Sequence, residues 1–266
     1  MPVGNDVVDL EHPLCQPDAI HPRFDTRAFS ASEIAQLAAS DRVHRTRWSL
    51  WAAKESAFKA ARKLDPQVRF IPRDFAVRLS GNRAAVTHRL GHFDIWFDQA
   101  DEWVHAVASR GGEKPGFQID GPPSTGAGVE EEDSGERVRK LARTALGDFL
   151  NIAPSEIQIV SVDRIPRAQR QGAPLPVDLS LSHDGRFVAC AAASLNRIDQ
   201  KKRPAGGGKI RQGAMTQEFS EIPVKILSCF LHRRNNILHG FLAVREEHQS
   251  VVEGKQRVRN PGETRA

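Results

Sequence analysis

Between Gly111 and Gly135 the chain becomes rich in Gly, Pro, Ser and acid, ending in Glu130-Glu131-Glu132-Asp133 before the last Ser-Gly pair. This stretch reads as a flexible linker, and it divides what can fold into two halves. Each half repeats one order of signals, a helix and then antiparallel strands. In the first, residues 3–10 read as a short strand. Ser30-Ala31-Ser32-Glu33 has capping-box spacing and opens a helix running through Leu37. Residues 45–63 place Trp48, Trp51, Ala52, Phe58 and Ala61 at helical spacing until Leu64-Asp65-Pro66 stops them. Strand character follows at 75–79, 84–89, 93–98 and 103–109, with Ser80-Gly81-Asn82 as the first turn. In the second half, residues 137–150 are helical and 157–162 form a strand. An irregular Pro/Arg/Gln segment comes next, then a hairpin of 177–183 and 186–194 around Asp184-Gly185. Residues 93–109 and 177–194 are weakly alike. The expected fold is therefore α+β, a pseudo-twofold duplication of a helix-plus-antiparallel-sheet half. The expected boundaries are 1–110, a linker at 111–135, 136–196, and a basic, largely disordered tail at 197–266.

Charge matters only by where it sits. The net +5 comes from residues 197–266, which hold 14 Lys/Arg against 7 Asp/Glu, while residues 1–196 hold 24 against 26. A basic pI is thus no argument that the body binds nucleic acid, and an adaptor acting through the basic tail is kept as an alternative function. Residues 224–231 and 236–244 of the tail can each form a short element. No apolar run reaches membrane-spanning length and no signal-peptide pattern opens the chain, so no membrane partner is expected. Cys15, Cys190 and Cys229 are odd in number and lack metal-ligand spacing, which fits reduced thiols in a cytoplasmic protein.

Three elements carry chemistry. Gly4-Asn5-Asp6-Val7-Val8-Asp9 offers one metal carboxylate, Asp6. Val8 shares its face and is apolar, and Asp9 points the other way. On the helix, Trp51, Glu55, Lys59 and Arg62 form one stripe, with Lys54 one step round from Glu55. Two acids can hold a hard cation and two ammonium groups can hold phosphate oxygens, a combination suited to a magnesium-bound phosphate ester. The third element is Leu179-Ser180-Leu181-Ser182-His183-Asp184-Gly185. Its histidine sits at a strand end beside a tight turn. Ser182 and His183 point to opposite faces and do not form a nucleophile–base pair, and no Gly-x-Ser-x-Gly elbow is present.

Together, Gly-x-Asp, Trp-x-x-Lys-Glu-Ser-x-x-Lys-Ala and Ser-x-Ser-His resemble the signature of the 4′-phosphopantetheinyl transferase superfamily, and residues 3–10 with 50–57 look especially like a bacterial branch of it. The resemblance covers about 2–110 and 136–194. It implies holo-[acyl-carrier-protein] synthase activity: the phosphopantetheine arm of coenzyme A moves to a serine of an apo acyl or peptidyl carrier protein, releasing adenosine 3′,5′-bisphosphate. By the same resemblance Asp6 and Glu55 bind Mg2+, Lys54 and Lys59 contact the pyrophosphate, and Ser182 and His183 contact coenzyme A phosphates. Lys59 then neutralises charge on the leaving phosphate, and Glu55, directly or through a bound water, is the best-placed candidate to take the proton of the carrier serine. One complete site per chain implies a monomer. The chain departs from the family pattern in having Val8 where a second acid often stands, in Gly172-Ala173-Pro174 where Gly-Lys-Pro is common, and in the order of its halves. Arg167 or Arg170 would have to stand in for that lysine. These departures motivate a second alternative, a member that binds coenzyme A without turnover.

Overall fold

Gly4 brings the first strand of this protein against its longest helix more closely than any other residue would allow. A Cβ there would lie 2.0 Å from the Ser56 carbonyl oxygen and 2.7 Å from the Ala60 nitrogen. The computed structural model describes residues 1–121 and 133–195, all within one unit, Met1–Cys229. In chain order the elements are β1 (Val3–Asp9), α1 (Phe24–Ala28), α2 (Ala31–Ala38), α3 (Val43–Leu64), β2 (Ala76–Ser80), β3 (Arg83–His88), β4 (Gly91–Gln99) and β5 (Trp103–Ser109). They continue with β6 (Gly116–Asp120), α4 (Ser134–Leu150), β7 (Gln158–Val162), β8 (Ile165–Arg170), β9 (Ala173–Pro174), β10 (Val177–Asp184) and β11 (Phe187–Ser194).

The first half is an antiparallel sheet in the order β1-β5-β4-β3-β2 with α3 on one face. The capping box forms as expected. Ser30 Oγ accepts from the Glu33 nitrogen and Glu33 accepts from the Ser30 nitrogen, which fixes the start of α2. Helix α3 buries a row of alanines (Ala52, Ala53, Ala57, Ala60 and Ala61) beside Trp48, Leu50 and Trp51. Small side chains let the strand approach. The tryptophans instead join an aromatic cluster with Phe24 and Phe70, at centroid distances of 5.3–5.6 Å.

In the second half Ala142 and Leu146 of α4 pack on Val177, Leu179 and Cys190 of the sheet β10-β11-β6. The sheet faces turned away from the two helices meet each other. Val7 and Trp103 pack on Ile119, Phe187 and Ala189, and Val3 and Val107 pack on Ala191 and Ala193. The halves share the helix-on-antiparallel-sheet plan but differ in strand number, since a separate sheet β7-β8-β9 completes the second.

Two segments correct the sequence reading. Gly116–Asp120 lies inside the expected linker, yet it is β6 and pairs with β11 from Gly116↔Ala192 to Asp120↔Val188. Its Ile119 is buried and its Phe117 half-buried, so a short apolar alternation suffices despite the Pro- and Gly-rich flanks. The irregular segment is β8 and β9. The tail with its candidate elements, Cys229 and the acidic run Glu130-Glu131-Glu132 lie outside the described residues.

Candidate functional site

In an antiparallel ladder alternate residues bond the neighbouring strand and the others point away. Val3, Asn5 and Asp9 of β1 point away from β5, and side chains from elsewhere close this edge. The Val3 nitrogen donates to Asp178 Oδ2 (2.6 Å), Asn5 N to Ser180 Oγ (2.9 Å) and Asp9 N to Asp184 Oδ2 (2.8 Å). From α3, Lys63 Nζ donates to the Val3 carbonyl (2.7 Å) and Lys59 Nζ to the Asn5 carbonyl (2.8 Å). The Gly-x-Asp strand is thus held between the long helix and the polar face of β10.

Asp6 faces the helix from this strand. Its carboxylate is 1% exposed, and Lys59 Nζ lies 2.9 Å from Oδ1. A buried carboxylate needs a positive partner, and Lys59 supplies one while keeping 19% of its own side chain exposed. Glu55 stands one turn before Lys59 and is 9% exposed. Asp6 and Lys59 thus meet where β1 crosses α3, and Glu55 shares the stripe of Lys59 one turn earlier.

Lys54 is placed elsewhere, which corrects its assignment to the pyrophosphate. It lies about 100° round the helix from Glu55. Its side chain is fully buried, and Nζ donates to Glu33 Oε1 (2.7 Å), the Phe75 carbonyl (2.7 Å) and the Pro72 carbonyl (3.0 Å). An ammonium has three donors, and all three are engaged. Burial lowers the Lys54 pKa, opposed by the Glu33 charge.

Ser182 is also turned inward. It is 0% exposed and its Oγ accepts from Asn5 Nδ2 at 2.7 Å. His183, half-buried, lies on the opposite face of β10 with Leu179 and Leu181. The structure thus separates this pair. Of the two arginines considered for the missing lysine, Arg170 pairs with Glu156, and Arg167 stands near enough to Lys63 to disfavour its charge.

Several residues of this junction carry no sequence signal. Lys63 Nζ also donates to Asp178 Oδ2 (2.8 Å) and the Leu179 carbonyl (2.7 Å), and burial lowers its pKa to about 8 against the pull of Asp178. Asp9 receives Arg186 in a fork, Nε to Oδ2 at 3.0 Å and Nη2 to Oδ1 at 2.9 Å, with the Arg186 nitrogen on Oδ2 as well. That fork raises the Arg186 pKa, and a Cβ at Gly185 would lie 2.4 Å from Asp9 Oδ2. A cleft of about 420 Å³ beside this turn is lined by Asp9, Glu11, His12, Pro13, Gly185 and Arg186. Its acids offset Arg186, so it is not a cationic phosphate site. Such long-range pairs need the tertiary structure. Only the alternation of Asp178, Ser180, Ser182 and Asp184 hints that this face of β10 meets something polar.

Residues 2–108, which contain Asp6, Glu55 and Lys59, match the family model of the 4′-phosphopantetheinyl transferase superfamily. The likeness to that superfamily lies in the first part of the chain. Ser182 and His183 lie beyond the matched residues. Among solved structures, a holo-[acyl-carrier-protein] synthase (AcpS) from Thermotoga maritima is similar at 20% identity and a TM-score of 0.33, over 46% of this chain and 70% of that one. No curated protein matches the chain. Among the described residues no helix is long and apolar enough to cross a membrane, and no group of three or more His, Cys, Asp or Glu is placed to hold a metal.

Proposed function

We propose that this protein transfers the 4′-phosphopantetheine arm of coenzyme A to a serine of an apo acyl or peptidyl carrier protein and that it requires Mg2+. The observation that carries the reading is the buried Asp6–Lys59 pair one turn from Glu55, within the residues that match the superfamily. The donor set fits the ion. Magnesium binds through one or two carboxylates together with substrate phosphate oxygens, so Asp6 and Glu55 suffice without a third ligand. When bound, the ion supplies charge neutralisation at the pyrophosphate.

The chain's own residues account for the rest. Lys59 is the exposed end of the pair and turns toward the phosphate oxygens of coenzyme A. The carrier serine oxygen bonds to the phosphorus that bears the pantetheine arm. The bond from that phosphorus to the bridging oxygen breaks, and adenosine 3′,5′-bisphosphate leaves with the electron pair. Glu55 takes the serine proton. Positioning and electrostatics dominate such transfers.

Mass spectrometry of apo carriers incubated with the protein, coenzyme A and Mg2+ tests this directly. One phosphopantetheine should be added, and chelation should stop it. Glu55→Gln should lower transfer by about a hundredfold or more, and Asp6→Asn should raise the Mg2+ requirement. Full activity in both variants would remove the assignment. A binding-only role has one observation in its favour: Lys54 and Ser182 are engaged internally. Coenzyme A binding with no mass gain on any carrier would select it.

A further inference from the structure

Asn5 sits in the middle of the Gly-x-Asp motif. It is 0% exposed and bonds to three elements at once. Its carbonyl accepts from Lys59 of α3 (2.8 Å) and its nitrogen donates to Ser180 of β10 (2.9 Å). Its side-chain Nδ2 lies 2.7 Å from Ser182 Oγ of β10 and 3.1 Å from His105 Nε2 of β5. The side chain points away from Asp6, into the junction of the two halves, while the carbonyl holds the ammonium that pairs with Asp6. We infer that Asn5 is a positioning residue: it fixes β10 against β1 and so sets where Lys59 stands to meet the phosphates of coenzyme A. This rests on the transferase reading for the role of Lys59.

The chemistry of the position favours an amide. Two N–H donors on one short planar group serve two acceptors on different strands. A leucine of similar size would leave Ser182 and His105 facing an apolar surface inside the protein. An aspartate would offer only acceptors and would bury a negative charge at the junction between Ser182 and His105.

Asn5→Leu, compared with Val107→Ala, separates positioning from packing. Val107 is the cross-strand partner of Asn5 and is fully buried, so its truncation makes a cavity at the same level of the sheet. Each variant is to be studied well below its own melting midpoint, with coenzyme A affinity read by calorimetry and turnover by carrier mass. Val107→Ala should lower the midpoint and leave coenzyme A affinity within about twofold. Asn5→Leu should weaken affinity about tenfold, lower kcat about tenfold, and couple non-additively with Ser182→Ala. If Asn5→Leu does not fold, Ser182→Ala and Ser180→Ala are read in the same way, each with a smaller loss of affinity. Asn5→Leu, or those serine variants, behaving like Val107→Ala would overturn the inference. A wild type that binds coenzyme A but modifies no carrier would overturn the transferase reading and leave this comparison intact. A wild type that does neither would overturn both.

Discussion

Lys54 and Lys59 stand five residues apart on one helix and serve different purposes. Lys59 keeps a path to solvent, whereas Lys54 ties α3 to α2 and to the turn before β2 through Glu33, Pro72 and Phe75. Glu33 is the cap acid of α2, and its second oxygen takes Lys54 and the Val77 nitrogen (2.6 Å). The cap was legible from Ser-x-x-Glu spacing, but its link to a lysine 21 residues on was not, because that pairing is made by tertiary packing. That Glu55 and Lys59 share one stripe of α3, and that Asp6 and Asp9 face opposite sides of β1, was readable because both follow from helix and strand periodicity. Removing one partner of a buried ion pair strands the other, so Lys54→Met should cost about 3–5 kcal/mol of stability. Turnover per folded molecule should stay close to wild type. Denaturant unfolding alongside the carrier assay checks both parts, and a stable but inactive variant would return Lys54 to the site.

Among the elements, the decisive contact is β1 against α3, and Gly4 permits it. Gly4→Ala forces a Cβ into the Ser56 carbonyl, an atom of the helix backbone that cannot rotate away. The strand must lift from the helix, at a cost of about 3 kcal/mol in overpacking. Because Asp6 and Lys59 lie either side of this crossing, activity should fall more than the melting midpoint implies. A variant with wild-type kcat and a normal midpoint would show that the crossing is not needed. The long helices and the strands with clear alternation were visible in the sequence, since periodicity there is strong. β8 and β9 were not, for a local reason. The turn Asp163-Arg164 joins Val162 to its partner Ile165 with φ of 50° and 63°, and Gln171-Gly172 joins Arg170 to Ala173 with φ of 50° and 80°. Three of these four residues are not glycine, so the usual Asn-Gly or Asp-Gly hairpin signal is missing.

At the scale of the whole molecule, the two halves meet through apolar packing and a polar row between β1 and β10, and in that row His105, Asn5 and Ser182 come together. The His105 ring is fully buried and edge-on to Phe117 at 5.3 Å. Burial, reinforced by the charge of Lys59, lowers its pKa from 6.5 to about 3. Above pH 6.5 the imidazole is neutral in both the folded and unfolded chain and adds no pH dependence. As pH falls from 6.5 toward 3, the unfolded chain takes up a proton that the folded one refuses, so stability is lost. The loss is at most about 1.4 kcal/mol per pH unit from this group. His105→Phe removes the titrating ring and keeps an apolar body at the junction. Its stability at pH 8 should drop because Asn5 loses an acceptor, but its slope between pH 4 and 6.5 should be flatter than wild type. Urea unfolding across that range measures both slopes. Parallel slopes would mean that His105 takes up its proton in the folded state, and that the junction between the halves admits water where the structure shows none of the ring exposed.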